Sequence, residues 1–184
     1  MKILAKTHLC YSFNVFKEKD NFPLSNGFKN NVKKIRSLVQ PDKQQPFALG
    51  LWLNRTNLNK ISRTEISALK EFLNTENLYV FTLNAFPYAS FHDTKVKENV
   101  YLPDWRSNQR LQYSIDCANF LAEILPGEIS GTISTVPGGY KKLISKTGLA
   151  KIADNLSKMN RSLCEIRRKK GRKITLAIEF EPDC

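Results

Sequence analysis

Two carboxylates near the C-terminus, Glu179 and Glu181, carry the most suggestive chemistry in this chain. They end the apolar run Ile174-Thr-Leu-Ala-Ile-Glu-Phe-Glu181. Side chains of a strand alternate between its faces, so both acids point the same way. Carboxylates on an apolar strand are costly to bury without partners. A bound metal or substrate would offset that cost, and so would a strand end whose glutamates meet water or a lysine. His92, one of two histidines, is a candidate proton carrier, although a loop histidine also serves as a simple hydrogen-bonding or exposed group. His8 precedes the first strand and takes no role. One usable histidine makes no metal cluster of recognised spacing, so any metal would be a hard, oxygen-ligated ion or would need ligands from elsewhere. Pro137-Gly-Gly-Tyr-Lys-Lys142 could offer a phosphate the backbone of Gly138 and Gly139 and the ammonium of Lys141. A plain Gly-Gly turn is the competing reading. No Gly-x-Ser-x-Gly elbow supports a nucleophilic triad.

The elements that must position these groups follow from periodicity. Leu9–Asn14 reads as a first strand with Asn14 at its C-terminal end. Ser25 caps a helix with Phe28, Val32, Ile35 and Leu38 on one face, and Pro41 stops it. Phe47–Leu53 is a nearly continuous apolar strand. Ser62-Arg-Thr-Glu65 is a capping box, followed by a helix face of Ile66, Leu69, Phe72 and Leu73. Leu78–Asn84 is a third strand. Ser107 caps a helix carrying Leu111, Ile115, Ala118, Leu121 and Leu125, which stops at Pro126-Gly127. Gly131–Val136 is a fourth strand, a helix carries Leu149 through Ile166, and Ile174–Glu181 is the fifth strand.

Alternation of this kind predicts a parallel sheet covered by helices, an α/β fold. Its functional groups then belong at the strands' C-terminal ends: Asn14, Asn54, Arg55, Asn84, Ser134, Thr135, Glu179 and Glu181. A doubly wound sheet would need a glycine-rich first βα turn, and no glycine occurs before Gly27. The other choice is a (β/α)8 TIM barrel, normally of about 250 residues. Five strands and four helices supply its N-terminal part, so residues 1–184 are expected to form one domain, a partial barrel lacking the C-terminal βα units. Its open edges call for partners, either the missing C-terminal half or a second copy.

Between the third strand and the next helix lies a long connection, Asn84 to Trp105, holding Phe86, Tyr88, Phe91, Tyr101 and Trp105 beside His92, Asp93, Lys95, Lys97, Glu98 and Asp104. Long loops are commonly functional or disordered, and disordered segments avoid aromatics. This loop is therefore expected to be one wall of a binding site, with Tyr88, His92, Lys97 and Trp105, and the strand-end Asn14 and Asn84, as substrate contacts. Composition bounds the rest. The net charge is +12, and Arg167-Arg-Lys-Lys-Gly-Arg-Lys173 supplies six of the positive charges. That run reads as a solvated helix C-terminus ended by Gly171, and without interleaved aromatics it argues against nucleic acid. Four scattered cysteines and the lack of a membrane-length apolar run lead to the expectation of a reduced, cytoplasmic protein.

Asn84-Ala-Phe-Pro-Tyr88, Phe91-His92 and Lys95-Val-Lys-Glu-Asn-Val-Tyr-Leu-Pro-Asp-Trp105 resemble the EboE metabolite-traffic proteins of the xylose isomerase-like TIM-barrel superfamily. Gly50–Leu53, Ile133–Lys141 and Leu176–Cys184 extend the resemblance along nearly the whole chain. The resemblance implies an eight-stranded barrel that binds, and in superfamily enzymes isomerises or epimerises, a small metabolite, often with a divalent metal such as Mn, Mg or Zn. It implies Glu179 as metal ligand, Glu181 as second ligand or base, His92 as substrate contact or proton carrier, and proteins of the same operon as partners. The sequence departs from the family after the first strand, where Asn14-Val-Phe16 stands in place of Asn-x-His. A non-catalytic binding or assembly module, contacting an acidic partner or an anionic membrane surface, is the alternative.

Overall fold

The structure, a computed structural model, describes residues 2–4, 7–15, 23–89 and 100–184. A small antiparallel hairpin, β1 (Lys2–Leu4) and β2 (Thr7–His8), precedes the main sheet. That sheet holds β3 (Tyr11–Ser12), β4 (Phe47–Trp52), β5 (Leu78–Asn84), β6 (Gly131–Thr135) and β7 (Ile174–Ile178). Its strands are all parallel and lie in chain order, each paired with the next. The order never reverses, so this sheet lacks the switch-point crevice of a doubly wound fold.

The helices are α1 (Asn26–Val39), the short α2 (Arg55–Lys60), α3 (Arg63–Thr75), α4 (Asn108–Ile124) and α5 (Lys146–Lys170). Their starts follow the sequence closely. Ser25, Ser62, Ser107 and Ser145 each accept a backbone N–H from the first turn. The Ser62–Glu65 capping box is complete, with Glu65 accepting the Ser62 N–H in return. Gly171 ends α5 in the left-handed region at φ 65°, a conformation costly for residues with a Cβ.

Successive helices touch: Phe28 of α1 meets the ring of Phe72 in α3, and α3 packs on α4 and α4 on α5. They form one layer on one face of the sheet. Under it Phe47, Leu49, Leu51, Val80, Leu83 and Ile133 are buried, with Phe28, Leu69, Leu73, Leu121 and Met159 from the helices. The other face carries half-buried Tyr79, Phe81, Thr82, Thr132 and Ser134. The shift of register between Leu49 and Gly50, opposite Val80 and Thr82, leaves Phe81 unpaired and explains the break in alternation along β5.

Three readings of the sequence need adjustment. The first strand is only two residues long, and a 3-10 turn at Phe13–Val15 carries Asn14. Arg55 begins α2, capped by Asn54, rather than lying in a bare strand end. Strand β7 stops at Ile178, so Glu179 and Glu181 lie just past it, although the Glu179 N–H still donates to the Thr135 carbonyl at 3.0 Å. Among the described residues no helix is long and apolar enough to cross a membrane.

The capping box gives a direct test. Ser62→Ala should lower the free energy of unfolding by about 1 kcal/mol in urea denaturation, whereas Ser67→Ala, at an exposed interior position of the same helix, should change it by no more than about 0.5 kcal/mol.

Candidate functional site

The C-terminal ends of β4 and β5 are gathered by the inner face of α4. Arg110 is fully buried. Its Nη1 donates to the carbonyls of Ala85 at 2.8 Å and Phe86 at 2.9 Å, and its Nε donates to Pro103 at 2.7 Å. One guanidinium thus holds the start and the end of the long β5–α4 connection. One turn further along α4, the buried Tyr113 hydroxyl lies 2.5 Å from the Leu53 carbonyl and 3.1 Å from that of Pro87. Among the described residues no carboxylate hydrogen-bonds Arg110, although the charge of nearby Asp104 favours its protonated form. Carbonyl dipoles and the rings of Tyr113 and Tyr88, with centroids 5.5 and 5.9 Å from Cζ, surround it. Burial pulls the Arg110 pKa below its ordinary value and pushes that of Tyr113 well above its own.

The far end of the connection is fixed separately. Asp104 is buried and chelated by Arg106, whose Nε and Nη2 reach its oxygens at 2.6–3.0 Å. Hydrogen bonding to Asp104 raises the Arg106 pKa. Nη1 of Arg106 donates to the Leu143 carbonyl, tying this loop to the β6–α5 loop. The Trp105 N–H donates to Gly138, and Asn155 of α5 donates to the Trp105 carbonyl at 2.8 Å. A Cβ on Gly139 would stand 2.6 Å from Asp104 Oδ2.

These anchors bring an aromatic and acidic patch together. Tyr101 stacks on Tyr140 at 6.5 Å with 12° between the rings, and Phe86 meets Tyr101 at 5.9 Å. The segment after β7 folds back towards them: the Lys141 N–H donates to the Asp183 carbonyl at 2.8 Å. Burial first, and then the negative charge of Cys184, Glu181 and Asp183, raises the Tyr101 phenol pKa. The Lys142 ammonium lies 6.0 Å from the Tyr140 ring centroid. The patch can hold a planar or polyhydroxylated small molecule against its rings and offers it carboxylate acceptors.

The residues singled out by the sequence fall unequally about this patch. Glu181 belongs to it, and Glu179 lies two residues earlier on the same half-buried side, while Phe180 between them is fully exposed. Neither glutamate forms an ion pair among the described residues. Asn84 accepts the Phe86 N–H at 2.9 Å and lies 3.4 Å from Ser134 Oγ, shaping the loop's first turn. Tyr88 packs edge-on against Tyr113. Trp105 is wholly buried and serves the core. Asn14 accepts from Ser12 at 3.0 Å. Gly138 and Gly139 lie against Ile152 and the Asp104 carboxylate as close-packing glycines. Lys141 is exposed. His92 and Lys97 lie outside the described residues. Among the described residues no three His, Cys, Asp or Glu side chains converge as a metal set.

Arg110, Tyr113 and Tyr140 were not singled out from the sequence. For Arg110 a signal existed: with Ser114, Cys117 and Leu121 it occupies one buried stripe of α4. A scan against protein-family models finds no match, and no curated protein matches the chain.

The α4 clamp also isolates a thiol. Burial pushes Cys117 up to about 12, so it stays protonated at neutral pH. In the native protein a maleimide reagent should label the exposed Cys184 promptly and Cys117 only at the rate of unfolding. Labelling of Cys117 as fast as Cys184 would show that the clamp does not close this part of the core.

Proposed function

We propose that the chain is a segment of a xylose isomerase-like (β/α)8 barrel that binds a small polar or aromatic metabolite at the C-terminal edge of its sheet, in the manner of the EboE metabolite-traffic proteins it resembles. The observation that carries this reading is the convergence of the loops after β5, β6 and β7 on one patch, Phe86, Tyr101, Tyr140 and Glu181. Parallel α/β sheets place ligands at this edge. The uninterrupted strand order and the single helix layer support the barrel.

Glu179 and Glu181 would hold a divalent ion. Two carboxylates suit a hydrated hard cation such as Mg²⁺ or Mn²⁺, which keeps several waters, better than Zn²⁺, which takes three or four protein ligands. Such an ion would polarise a substrate carbonyl. The chain's own contribution is a stacking surface at Tyr101 and Tyr140, hydrogen-bond acceptance by the carboxylates, and proton transfer at a Glu181 oxygen left free of the ion. Isothermal titration with Mn²⁺ tests the metal role: the wild type should give a saturable heat that Glu179→Gln abolishes. No heat, or equal heat from the variant, removes Glu179 as a ligand.

A second reading, a non-catalytic assembly module, is favoured by one observation, the outer edge of β7, which pairs with no other strand among the described residues.

A further inference from the structure

Strand β7 has β6 on one side and no strand on the other among the described residues. Its sequence, Ile174-Thr-Leu-Ala-Ile178, carries neither charge nor proline to protect an open edge. Beside it, Ile174, Leu176 and Ile178 form an apolar groove of about 390 Å³ with Met159, Leu163 and Cys164 of α5. Ile178 is 47% exposed and Phe180 entirely so.

Two hydrogen bonds fix which backbone groups face outward. The Lys173 carbonyl accepts from Gly131, and the Glu179 N–H donates to Thr135, so the odd-numbered residues turn their polar groups toward β6. The alternation of a strand then turns those of Ile174, Leu176 and Ile178 toward the open edge. A self-pairing strand needs its outward groups symmetric about its centre, and these three are symmetric about Leu176. The side chains match in the same register. Reversing the strand about Leu176 sets Ile174 opposite Ile178 and Lys173 opposite Glu179. The Lys173–Glu179 pairs are non-hydrogen-bonded pairs, in which Cα atoms approach to about 4.5 Å. One step beyond, Arg172 stands opposite Phe180, a cation–aromatic pair for an otherwise bare ring.

We infer that β7 pairs antiparallel with β7 of a second copy about a twofold axis at Leu176, joining two sheets into one and closing the α5 groove. This pairing does not use metabolite or metal binding, but it places Glu179, the proposed ion ligand, at the interface, so Lys173→Glu is the variant that tests association alone. It names the occupant of the edge as a second copy because the opposite charges at the two ends of β7 meet only in this antiparallel register. A strand added parallel would gain no such match.

Sedimentation of the full chain should give twice the 21.1 kDa monomer mass. Lys173→Glu should weaken association about tenfold, since it sets like charges opposite each other at two symmetric places. Glu179→Lys should do the same, and the double variant Lys173→Glu/Glu179→Lys should restore wild-type association. Amide exchange gives a check without mutation: the Leu176 and Ile178 N–H groups should be protected in a concentration-dependent way. A monomer at every concentration overturns the inference, as does a double variant no better than the singles. A monomer whose Leu176 amide is nonetheless protected would place another strand of the chain on this edge and overturn it equally.

Discussion

The buried guanidinium of Arg110 holds the long β5–α4 connection in place. Among the described residues no carboxylate hydrogen-bonds Arg110, and removing a guanidinium from water is expensive. The cost is offset because three carbonyls at the ends of one long connection converge on it. Tyr113 adds proximity to two more, at Leu53 and Pro87. Left bare in the interior, each such carbonyl would cost about 1–3 kcal/mol. The chain leaves the sheet after β4 and β5 in irregular backbone, with the Ala85 N–H still donating to Ser134 of β6, and its carbonyls need other partners. Two side chains spaced three apart on α4 satisfy them. A similar solution recurs elsewhere, where the buried Arg36 of α1 donates to the carbonyls of Glu76, Lys43 and Gln45.

The rest of the patch rests on that clamp. With both ends of the connection fixed, Tyr101 can stack on Tyr140, which the Asp104–Arg106 pair and the close-packed Gly139 hold near the sheet. The polar groups therefore fall into two tiers. Buried Arg110, Tyr113, Asp104 and Asn155 position backbone, while half-buried Glu179, Glu181, Tyr101 and Tyr140 face outward and are available to a ligand. Residue type alone does not separate these tiers; burial does.

That distinction explains what the sequence could reveal. Strands, caps and helix stops were legible because they depend on neighbours in sequence. The Ser62–Glu65 box, the apolar Phe47–Trp52 strand and the Gly171 stop are examples. Glu179 and Glu181 were legible as acids sharing a side, though not as residues lying past the strand. Trp105 suggested a ligand contact because aromatic residues in a loop often make one, but its burial depends on Asn155 and Gly138, 50 and 33 positions away. Arg110 was harder to read for the opposite reason: its place on the buried stripe of α4 was a signal, but a charged residue in a helix is normally solvated, and the distant carbonyls it serves make its burial intelligible.

The most direct measurement is hydrogen exchange at arginine side chains by ¹⁵N NMR. If Arg110 closes the long connection from inside the fold, its Nε–H should exchange far more slowly than that of the exposed Arg168, and should lose this protection only with global unfolding. An Arg110 Nε–H that exchanges as fast as Arg168 would contradict the account, because the guanidinium would then be meeting water instead of Pro103.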